Sequence, residues 1–299
     1  VNKPKGITSF DVIRKLKPIL KEKRIGHVGT LDPFASGVLI IALGRYTKLF
    51  FLFDDLYKEY IARGVFGESR DTDDIDGKVL EKSKNKNILS FNELETLIKN
   101  NFLGNILQKP PIYSAKKIDG KRAYDLAREN KEFQLKSVNV FINSIELLEY
   151  NYPYFTIKTS VSKGTYIRAI VRDIGKLTNN LAYTKDLIRS SIGDYNIDKS
   201  INLENINAHN IISFFDMFKN FDKLIIEDEK DIKQILSVNT KLIENINIKN
   251  KYLALVDKDN NLLAIINNVN NSNRYSFIDV YPVVLEESTM LYWTPPIVV

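Results

Sequence analysis

The stretch HVGTLDPFASGVLIIAL, residues 27–43, is the most informative part of the sequence, because a polar loop in it leads directly into an apolar run. Residues 38–43 are all apolar, and such a run predicts a buried strand. Asp32 is the only acidic residue of the stretch, and it lies between Leu31 and Pro33. A carboxylate beside a buried strand costs free energy unless a partner pairs with it or a reaction uses it. Asp32 is therefore either a turn residue or a reactive group.

Outward from this stretch, helical and extended patterns alternate along the chain. Helical patterns predict helices at 9–20 (with Ser9 as the N-cap), 46–55, 90–100 and 167–177. Alternation of apolar and polar residues predicts strands at 57–66, 138–150 and 154–162. Because no regular strand–helix–strand repeat occurs, the expected fold class is α+β, with a large, mostly antiparallel mixed sheet flanked by helices.

The C-terminal part differs in charge and in pattern. Residues 221–299 contain 8 Lys/Arg and 11 Asp/Glu, a net charge of −3; because the whole chain carries +6, residues 1–220 carry +9. Two apolar segments flank the turn sequence DKDNN at 257–261 and predict a hairpin. We therefore expect a large domain at 1–224 and a small β-rich domain at 225–299, whose apolar tail is an edge strand or a docking segment.

Composition excludes several kinds of site. The chain has no cysteine and only two histidines, which excludes disulfides, thiolate nucleophiles, cysteine-bound zinc and multi-histidine metal sites. Neither a Walker loop nor a G-x-G-x-x-G nucleotide motif occurs. No apolar run approaches the length of a membrane span, and no signal-peptide pattern precedes the first motif, so a cytoplasmic protein is expected.

Residues 70–77, RDTDDIDG, form an acidic run. Calcium binding is not expected there. An EF-hand loop counted from Asp71 would have an isoleucine at its fifth position and Lys82 in place of glutamate at its twelfth. A solvated acidic turn between strands is the prediction.

The segment SKGTYIRAIVRDIG, residues 162–175, brings a phenol and a guanidinium close together at Tyr166 and Arg168. On spacing alone, a core aromatic and a surface charge explain these two residues equally well. A buried Asp32, however, requires a cation, and a guanidinium binds a carboxylate with two parallel hydrogen bonds. Arg168 is thus a candidate partner for Asp32.

The segment PPIYSAKKIDGKRAYDLAREN, residues 110–130, interleaves basic and aromatic residues, Lys116 and Arg122 among them. This combination suits phosphate contacts together with base stacking. With a second basic cluster, KEKRIGH at 21–27, it favours nucleic-acid binding over a solvent-facing loop and helix.

Several separated motifs together resemble one family. In order, they are NKPKGITSFDVI, HVGTLDPFASGVLIIALGRYTK, KEYIA, PPIYSAKKIDGKRAYDLAR and SKGTYIRAIVRDIG. They resemble the bacterial TruB family of tRNA pseudouridine synthases, over roughly residues 1–200. The resemblance implies the pseudouridine synthase fold, followed by a PUA-like domain at 225–299. It also implies an isomerase that flips the T-loop uridine (position 55) of tRNA and converts it to pseudouridine, without a metal or organic cofactor.

Three residues carry the chemistry that the resemblance implies. Asp32 would be the catalytic aspartate, Arg168 its ion-pair partner, and Tyr60 would stack on the uracil and help remove the proton from carbon 5. Asp32 could attack the sugar, attack the base or remove a sugar proton; the sequence does not choose among these roles. Each of these three roles requires that the carboxylate of Asp32 is ionised.

Other residues would bind the substrate, again by resemblance. Tyr166 and Leu187 would line the pocket, and His27 would occupy the space vacated by the flipped base. Lys116 and Arg122 would contact the RNA. The expected partner is the T-stem-loop of tRNA, bound by a monomer that requires no protein partner.

Two other functions fit parts of the sequence. A non-catalytic RNA-binding protein, or an activity in tRNA folding beside catalysis, would use the same basic loops. An RNA-guided relative from ribonucleoprotein particles would share variants of the motifs but require partner proteins. Intact Asp32, Tyr60 and Arg168 favour catalysis, and the YSAKKIDGKRAYDLAR loop resembles the stand-alone type.

Overall fold

The computed structural model describes residues 1–84, 86–114, 116–118, 120–129, 133–237, 251–269, 274–280 and 297–298. For Lys117, Lys121, Arg122, Arg128 and residues 268–269, 274–280 and 297–298, it describes the backbone only.

A large mixed sheet forms the centre of the fold. Its strands are β1 (Asn2–Lys3), β3 (Ser36–Val38), β5 (Lys58–Phe66), β8 (Gly104–Gln108), β11 (Val138–Asn151), β12 (Tyr154–Val161), β13 (Ala182–Ile192) and β14 (Tyr195–Asn196). They run in the order β1-β3-β13-β5-β12-β11-β8, and β14 pairs with β13. Only the β3–β13 pair is parallel. The predicted mostly antiparallel mixed sheet is confirmed.

Six α-helices and four 3-10 helices accompany the sheets in the part of the chain that the structure describes. They are α1 (Ser9–Leu20), α2 (Phe91–Phe102), α3 (Ala123–Arg128), α4 (Ile167–Leu177), α5 (Phe214–Met217) and α6 (Glu229–Leu236), with 3-10 helices at Gly44–Phe53, Ile197–Lys199, Leu203–Asn205 and Ala208–Asn210. Helix α6 packs on the C-terminal strands, not on the large sheet. The apolar faces of α2 and α4 share one buried cluster with β5, β11 and β12. Burial of these faces stabilises the helices more than their own propensity does.

One helix start was predicted one residue too late. The N-cap of α1 is Thr8, whose side chain accepts from the backbone N–H of Asp11 in a capping box. Ser9 is instead the first helical residue, and its hydroxyl exchanges hydrogen bonds with Leu31. Serine is by itself the slightly better cap, but only Thr8 has an acidic residue, Asp11, three positions later, and this reciprocal capping box favours the start at Thr8.

The apolar run at 38–43 is two strands rather than one. Val38 ends β3 in the large sheet, and β4 (Ile40–Leu43) pairs instead with β2 (Ile25–Val28). Both pieces are buried, as the pattern predicted. The chain therefore changes sheets at Leu39, immediately after the loop that contains Asp32.

The C-terminal part contains a separate four-stranded sheet. It consists of β15 (Lys223–Ile225), β16 (Tyr252–Val256), β17 (Leu262–Val269) and β18 (Arg274–Val280). The β16–β17 hairpin is the one that the sequence predicted. The proposed boundary at 224/225 falls inside β15; the division into two domains, and the PUA-like assignment of the second, stay predictions.

Short strands complete the structure. These are β6 (Glu68–Arg70) paired with β7 (Val79–Lys82), β9 (Lys117–Ile118) paired with β10 (Lys121–Arg122), and β19 (Ile297–Val298) paired with β4. β19 is an edge strand, one of the two predictions for the tail. Residues 288–296 of that tail lie outside the described residues.

Candidate active site

Asp32 begins a tight turn. Its carbonyl accepts from the N–H of Ala35 at 3.1 Å, with Pro33 in the second position, where its fixed φ suits a turn. The flanking residue Leu31 is tied to Ser9 of α1 through both its N–H and its carbonyl, at 2.9 and 3.1 Å. The carbonyl of Pro33 accepts from the N–H of Gly6 at 2.8 Å. The backbone around Asp32 is thus fixed on both sides.

The carboxylate of Asp32 forms a two-pronged ion pair with Arg168. Nε of Arg168 lies 2.8 Å from Oδ2, and Nη2 donates to Oδ1 at 3.1 Å. The Arg168 side chain is 5% exposed, whereas that of Asp32 is 35% exposed. The structure therefore places the cation beneath the carboxylate and leaves the carboxylate open to an incoming molecule.

Arg168 has further partners that the sequence interpretation missed. Nη1 lies 3.2 Å from Oδ2 of Asp74 and donates to the carbonyl of Thr72 at 2.6 Å. Nη2 also donates to the carbonyl of Tyr113 at 3.1 Å. Every nitrogen of the guanidinium is engaged, so its orientation under Asp32 is fixed from three directions.

The acidic run at 70–77 is not a solvated turn, and that prediction was wrong for two of its residues. Asp73 is 8% and Asp74 is 5% exposed. Asp73 pairs with Arg172 of α4 at 2.9 Å, as Asp74 pairs with Arg168. Burial raises the pKa of both carboxyls, and the neighbouring arginines oppose that rise. The spacing of Arg168 and Arg172, one helical turn apart, was the signal that could have paired them with adjacent aspartates.

Tyr60 and Leu187 lie on neighbouring strands of the large sheet. Both are buried, at 7% and 4% exposure, in the same apolar cluster as Leu31 and Ile167. Because Leu31 precedes Asp32 and Ile167 precedes Arg168, this cluster adjoins the ion pair. The hydroxyl of Tyr60 accepts from Nη1 of Arg189 at 3.4 Å.

Tyr166 precedes α4 and is half-buried. Its N–H donates to Oε1 of Gln108 at 2.8 Å, and its carbonyl accepts from Nε2 of Gln108 at 3.0 Å. Burial raises the pKa of the Tyr166 phenol; Ser114 and Arg168 lower it, and the charge of Asp32 raises it. The phenol is thus within electrostatic range of Asp32 and Arg168, and its place in a substrate pocket stays a prediction.

His27 lies on β2 and is half-buried. Its Nδ1 is buried without a hydrogen-bond partner among the described residues. Burial, and then the positive charge of Arg189, lower its pKa. A neutral imidazole with an unsatisfied nitrogen therefore stands five residues before Asp32.

The basic segment at 110–130 contains α3 and the β9–β10 pair. Lys116 is half-buried, and its carbonyl accepts from the N–H of Ala123 at 2.8 Å. Arg122 lies on β10, and its side chain lies outside the described residues. The start of the segment is tied to α4, because Arg172 donates to the carbonyl of Lys109 and Arg168 to that of Tyr113.

The described residues contain neither a cluster of potential metal ligands nor a helix that could span a membrane. No group of three or more His, Asp or Glu side chains in the described ranges could hold a metal ion. Of the helices seen there, none combines the length and the apolar character that crossing a bilayer requires.

Comparison with known proteins gives one family. Residues 17–167 match the family described as "TruB family pseudouridylate synthase (N terminal domain)". The chain is 40% identical to the tRNA pseudouridine synthase B of Clostridium tetani over 271 residues, which cover 89% of this chain and 90% of that protein. Proteins of the same name from Fusobacterium nucleatum and Borreliella burgdorferi are 40% and 36% identical; the alignments cover 93% and 94% of this chain and 98% of each relative.

Solved structures show the same fold. The chain is similar to one in the crystal structure of a Cbf5-Nop10-Gar1 complex, with a TM-score of 0.62, 22% identity and coverage of 94% of this chain and 82% of that chain. A chain in the archaeal box H/ACA sRNP Nop10-Cbf5 complex has a TM-score of 0.58, 20% identity and coverage of 94% and 84%.

The sequence match covers half of the chain, and the named relatives align with nearly all of it. The structure joins two of the separate motifs through the ion pair between Asp32 and Arg168, and a third through the hydrogen bond from Arg168 to the carbonyl of Tyr113. From this agreement of sequence, fold and site, we conclude that the chain belongs to the TruB family of pseudouridylate synthases.

Proposed function

We propose that the protein isomerises the T-loop uridine (position 55) of tRNA to pseudouridine, with Asp32 as the catalytic aspartate. The observation that carries the proposal is an accessible carboxylate held by a buried guanidinium in two-pronged geometry. Arg168 is also held by Asp74 and by the carbonyls of Thr72 and Tyr113, so its position does not depend on Asp32 alone. Here the cation is buried and the anion is partly exposed, an arrangement suited to a group that acts on a substrate.

The reaction rearranges atoms within one nucleotide. The bond between N1 of uracil and C1′ of ribose breaks, the uracil rotates, and a bond forms between carbon 5 and C1′. The proton leaves carbon 5, and N1 ends with a proton, so atoms and charge balance without an oxidant or reductant. An ionised carboxylate beside the sugar assists this change as a nucleophile, as a base or by stabilising positive charge on the ribose.

The neighbouring side chains have roles in the same proposal. Tyr60 stacks on the uracil and helps to remove the carbon 5 proton, while Tyr166 and Leu187 line the pocket. Extrusion of the base costs about a few kcal/mol of unstacking. The flat imidazole of His27 offsets part of that cost by occupying the space that the base leaves; its lowered pKa keeps it neutral at neutral pH.

The wider surface fits a polyanionic substrate. Residues 1–220 carry a net charge of +9, and the basic segment at 110–130, with Lys116 and Arg122, would contact the tRNA backbone. We propose that the protein acts on tRNA as a monomer without a partner protein, in the cytoplasm.

The test is to incubate purified protein with unmodified tRNA and to map pseudouridine along it. The expected result is one modified position, in the T-loop, formed without added metal, cofactor or partner protein. Tight binding of tRNA with every uridine unmodified would instead support a non-catalytic RNA-binding protein. Dependence on an added guide RNA would support the RNA-guided type.

A further inference from the structure

Arg189 is a buried cation that the proposed roles leave unused. Its side chain belongs to the segment TKDLIRS on β13 and is 0% exposed. Within the part of the chain that the structure describes, no carboxylate forms an ion pair with it; its hydrogen bonds go to two carbonyls and a phenol. A buried charge without a counter-ion costs free energy, so its hydrogen bonds must contribute substantially to keeping it there.

Those acceptors stand at both ends of the loop that contains Asp32. Nε of Arg189 donates to the carbonyl of Val38 at 2.7 Å, and Nη2 donates to the carbonyl of Gly29 at 2.9 Å. Gly29 is three residues before Asp32, and Val38 is six residues after it. One rigid, planar group thus joins the start and the end of the loop.

The third acceptor belongs to a different strand. Nη1 of Arg189 donates to the hydroxyl of Tyr60 at 3.4 Å. The guanidinium therefore connects the Asp32 loop to the aromatic side chain proposed to stack on the uracil.

The backbone of Arg189 is fixed as closely as its side chain. Arg189 is aligned with Gly37 in the parallel β3–β13 pair. A Cβ added at Gly37 would collide with the carbonyl oxygen of Arg189 and lie 2.8 Å from the backbone nitrogen of Arg189. This close approach leaves the guanidinium little freedom to move relative to the loop.

We infer that Arg189 is a positioning residue that clamps the Asp32 loop and sets it against Tyr60. This inference rests on the proposed function, because it gives Arg189 a part in the chemistry only if Asp32 and Tyr60 act on the substrate. Lysine cannot replace it. A single ammonium on a flexible stem does not supply donors in the fixed fork that three separate acceptors require.

The first test compares Arg189→Lys with Arg63→Lys. Arg63 lies on β5 and stacks on Tyr154, with no hydrogen bond to the Asp32 loop among the described contacts, so it is a matched arginine on the same sheet. We expect Arg189→Lys to lower the single-turnover rate of pseudouridine formation at saturating enzyme about tenfold or more, because a shift of about 1 Å can slow a positioned reaction about 100-fold. The Kd for tRNA should change less than about threefold, and Arg63→Lys should keep the wild-type rate.

A purely structural role predicts a different pattern. It would lower the Tm of Arg189→Lys and leave the rate of the folded fraction unchanged, and that result would overturn the inference. If the wild type itself forms no pseudouridine, the proposed function fails. If the wild type is active and folded Arg189→Lys is equally fast, only the clamp fails.

A second measurement does not depend on the folding of a variant. In wild-type protein labelled with ¹⁵N-arginine, hydrogen exchange at Nε–H of Arg189 should be far slower than at Nε–H of Arg14, whose side chain is 66% exposed. Equal exchange at the two sites would contradict the clamp.

Discussion

At the scale of single residues, the site is built from charges whose exposure differs. Arg168 is buried and forms ion pairs with both Asp32 and Asp74. Of these three side chains, only that of Asp32 is partly exposed. The carboxylate of Asp74 neutralises part of the positive charge of the Arg168 guanidinium. Asp74 and Thr72 fix the position of Nη1 of Arg168. The other two nitrogens of the guanidinium, Nε and Nη2, therefore remain directed at Asp32.

The first prediction concerns this second carboxylate. Asp74→Asn keeps the shape of the side chain and removes its charge, so the guanidinium loses an ionic restraint while Asp32 stays in place. We expect the single-turnover rate to fall about tenfold or more, with tRNA affinity nearly unchanged. Asp76→Asn, in the same turn but exposed, is the control and should react at the wild-type rate. Equal rates for the two variants would show that Asp74 does not position Arg168.

The second prediction uses the two histidines. Burial lowers the pKa of His27, so the unfolded chain takes up a proton at this residue before the native protein does. The free energy of unfolding should therefore fall as pH drops from 7.5 towards 5.5, through the ordinary histidine pKa of about 6.5. His27→Gln should lose part of that fall.

Urea unfolding at the two pH values measures this difference. His209 is exposed, and His209→Gln should show the same fall as the wild type. If His27→Gln also falls as far as the wild type, His27 is not protected from protonation in the native state.

The residue scale also shows what the sequence could predict. The pairing of Asp32 with Arg168 could be predicted from chemistry. A carboxylate in an apolar stretch needs a cation, and the motif at 162–175 supplies one in Arg168. Asp74 was missed because an acidic run ordinarily faces solvent. Its burial depends on a turn that folds back onto α4, and the local hint of that long-range contact was the spacing of Arg168 and Arg172, one helical turn apart.

At the scale of elements, the Asp32 loop is fixed because the strands around it approach closely. Gly37 of β3 lies against the backbone of Arg189 in β13, at a φ of +111°. The hydroxyl of Ser9 on α1 holds the opposite side of the loop through Leu31.

The third prediction compares two glycines. Gly37→Ala places a methyl group against the Arg189 backbone, whereas Gly6, with a φ of +84°, has nothing within 4 Å of an added Cβ. Both substitutions strain a left-handed backbone, so their difference isolates the close approach. We expect Gly37→Ala to reduce the free energy of unfolding by roughly 1–3 kcal/mol more than Gly6→Ala does. Denaturant titrations measure the free energy of unfolding of both variants. If both lose the same amount, β3 and β13 can move apart to accommodate the methyl group.

Elements with strong local patterns were predicted well, and those set by distant contacts were not. The helix predicted at 90–100, which begins with a capping box of Ser90 and Glu93, and the alternating strands β5, β11 and β12 are all confirmed. The run at 38–43 gave no sign of a break at Leu39, because both resulting strands are buried and equally apolar. Only the pairing of β4 with β2 separates them.

At the scale of the whole molecule, the C-terminal sheet shares a core with the N-terminal part. Phe53 and Phe214 belong to the same buried cluster as Ala254 and Val256. The sequence predicted the C-terminal strands but not this shared core, because periodicity shows which face of a strand is apolar and not what covers it.

The fourth prediction follows from that shared core. A protein that ends at residue 222 would lose the part of the cluster of Phe53 and Phe214 that Ala254 and Val256 form, and would uncover part of that cluster. We expect it to unfold at a Tm several degrees below that of the full chain, because each buried aromatic side chain contributes about 1.5–3 kcal/mol through burial. Circular dichroism on both proteins measures this. An unchanged Tm would show that residues 1–222 fold independently.

The charge of Asp32 is the central claim, and one substitution tests it most directly. Asp32→Asn preserves the size of the side chain and removes the ionised carboxylate. The measurement is tritium release from tRNA that contains 5-tritiated uridine, at saturating enzyme, with tRNA binding measured in parallel. We predict no release in the time in which the wild type completes the reaction, with a Kd within about threefold of the wild-type value. Release by Asp32→Asn at the wild-type rate would contradict the assignment of Asp32 as the catalytic aspartate.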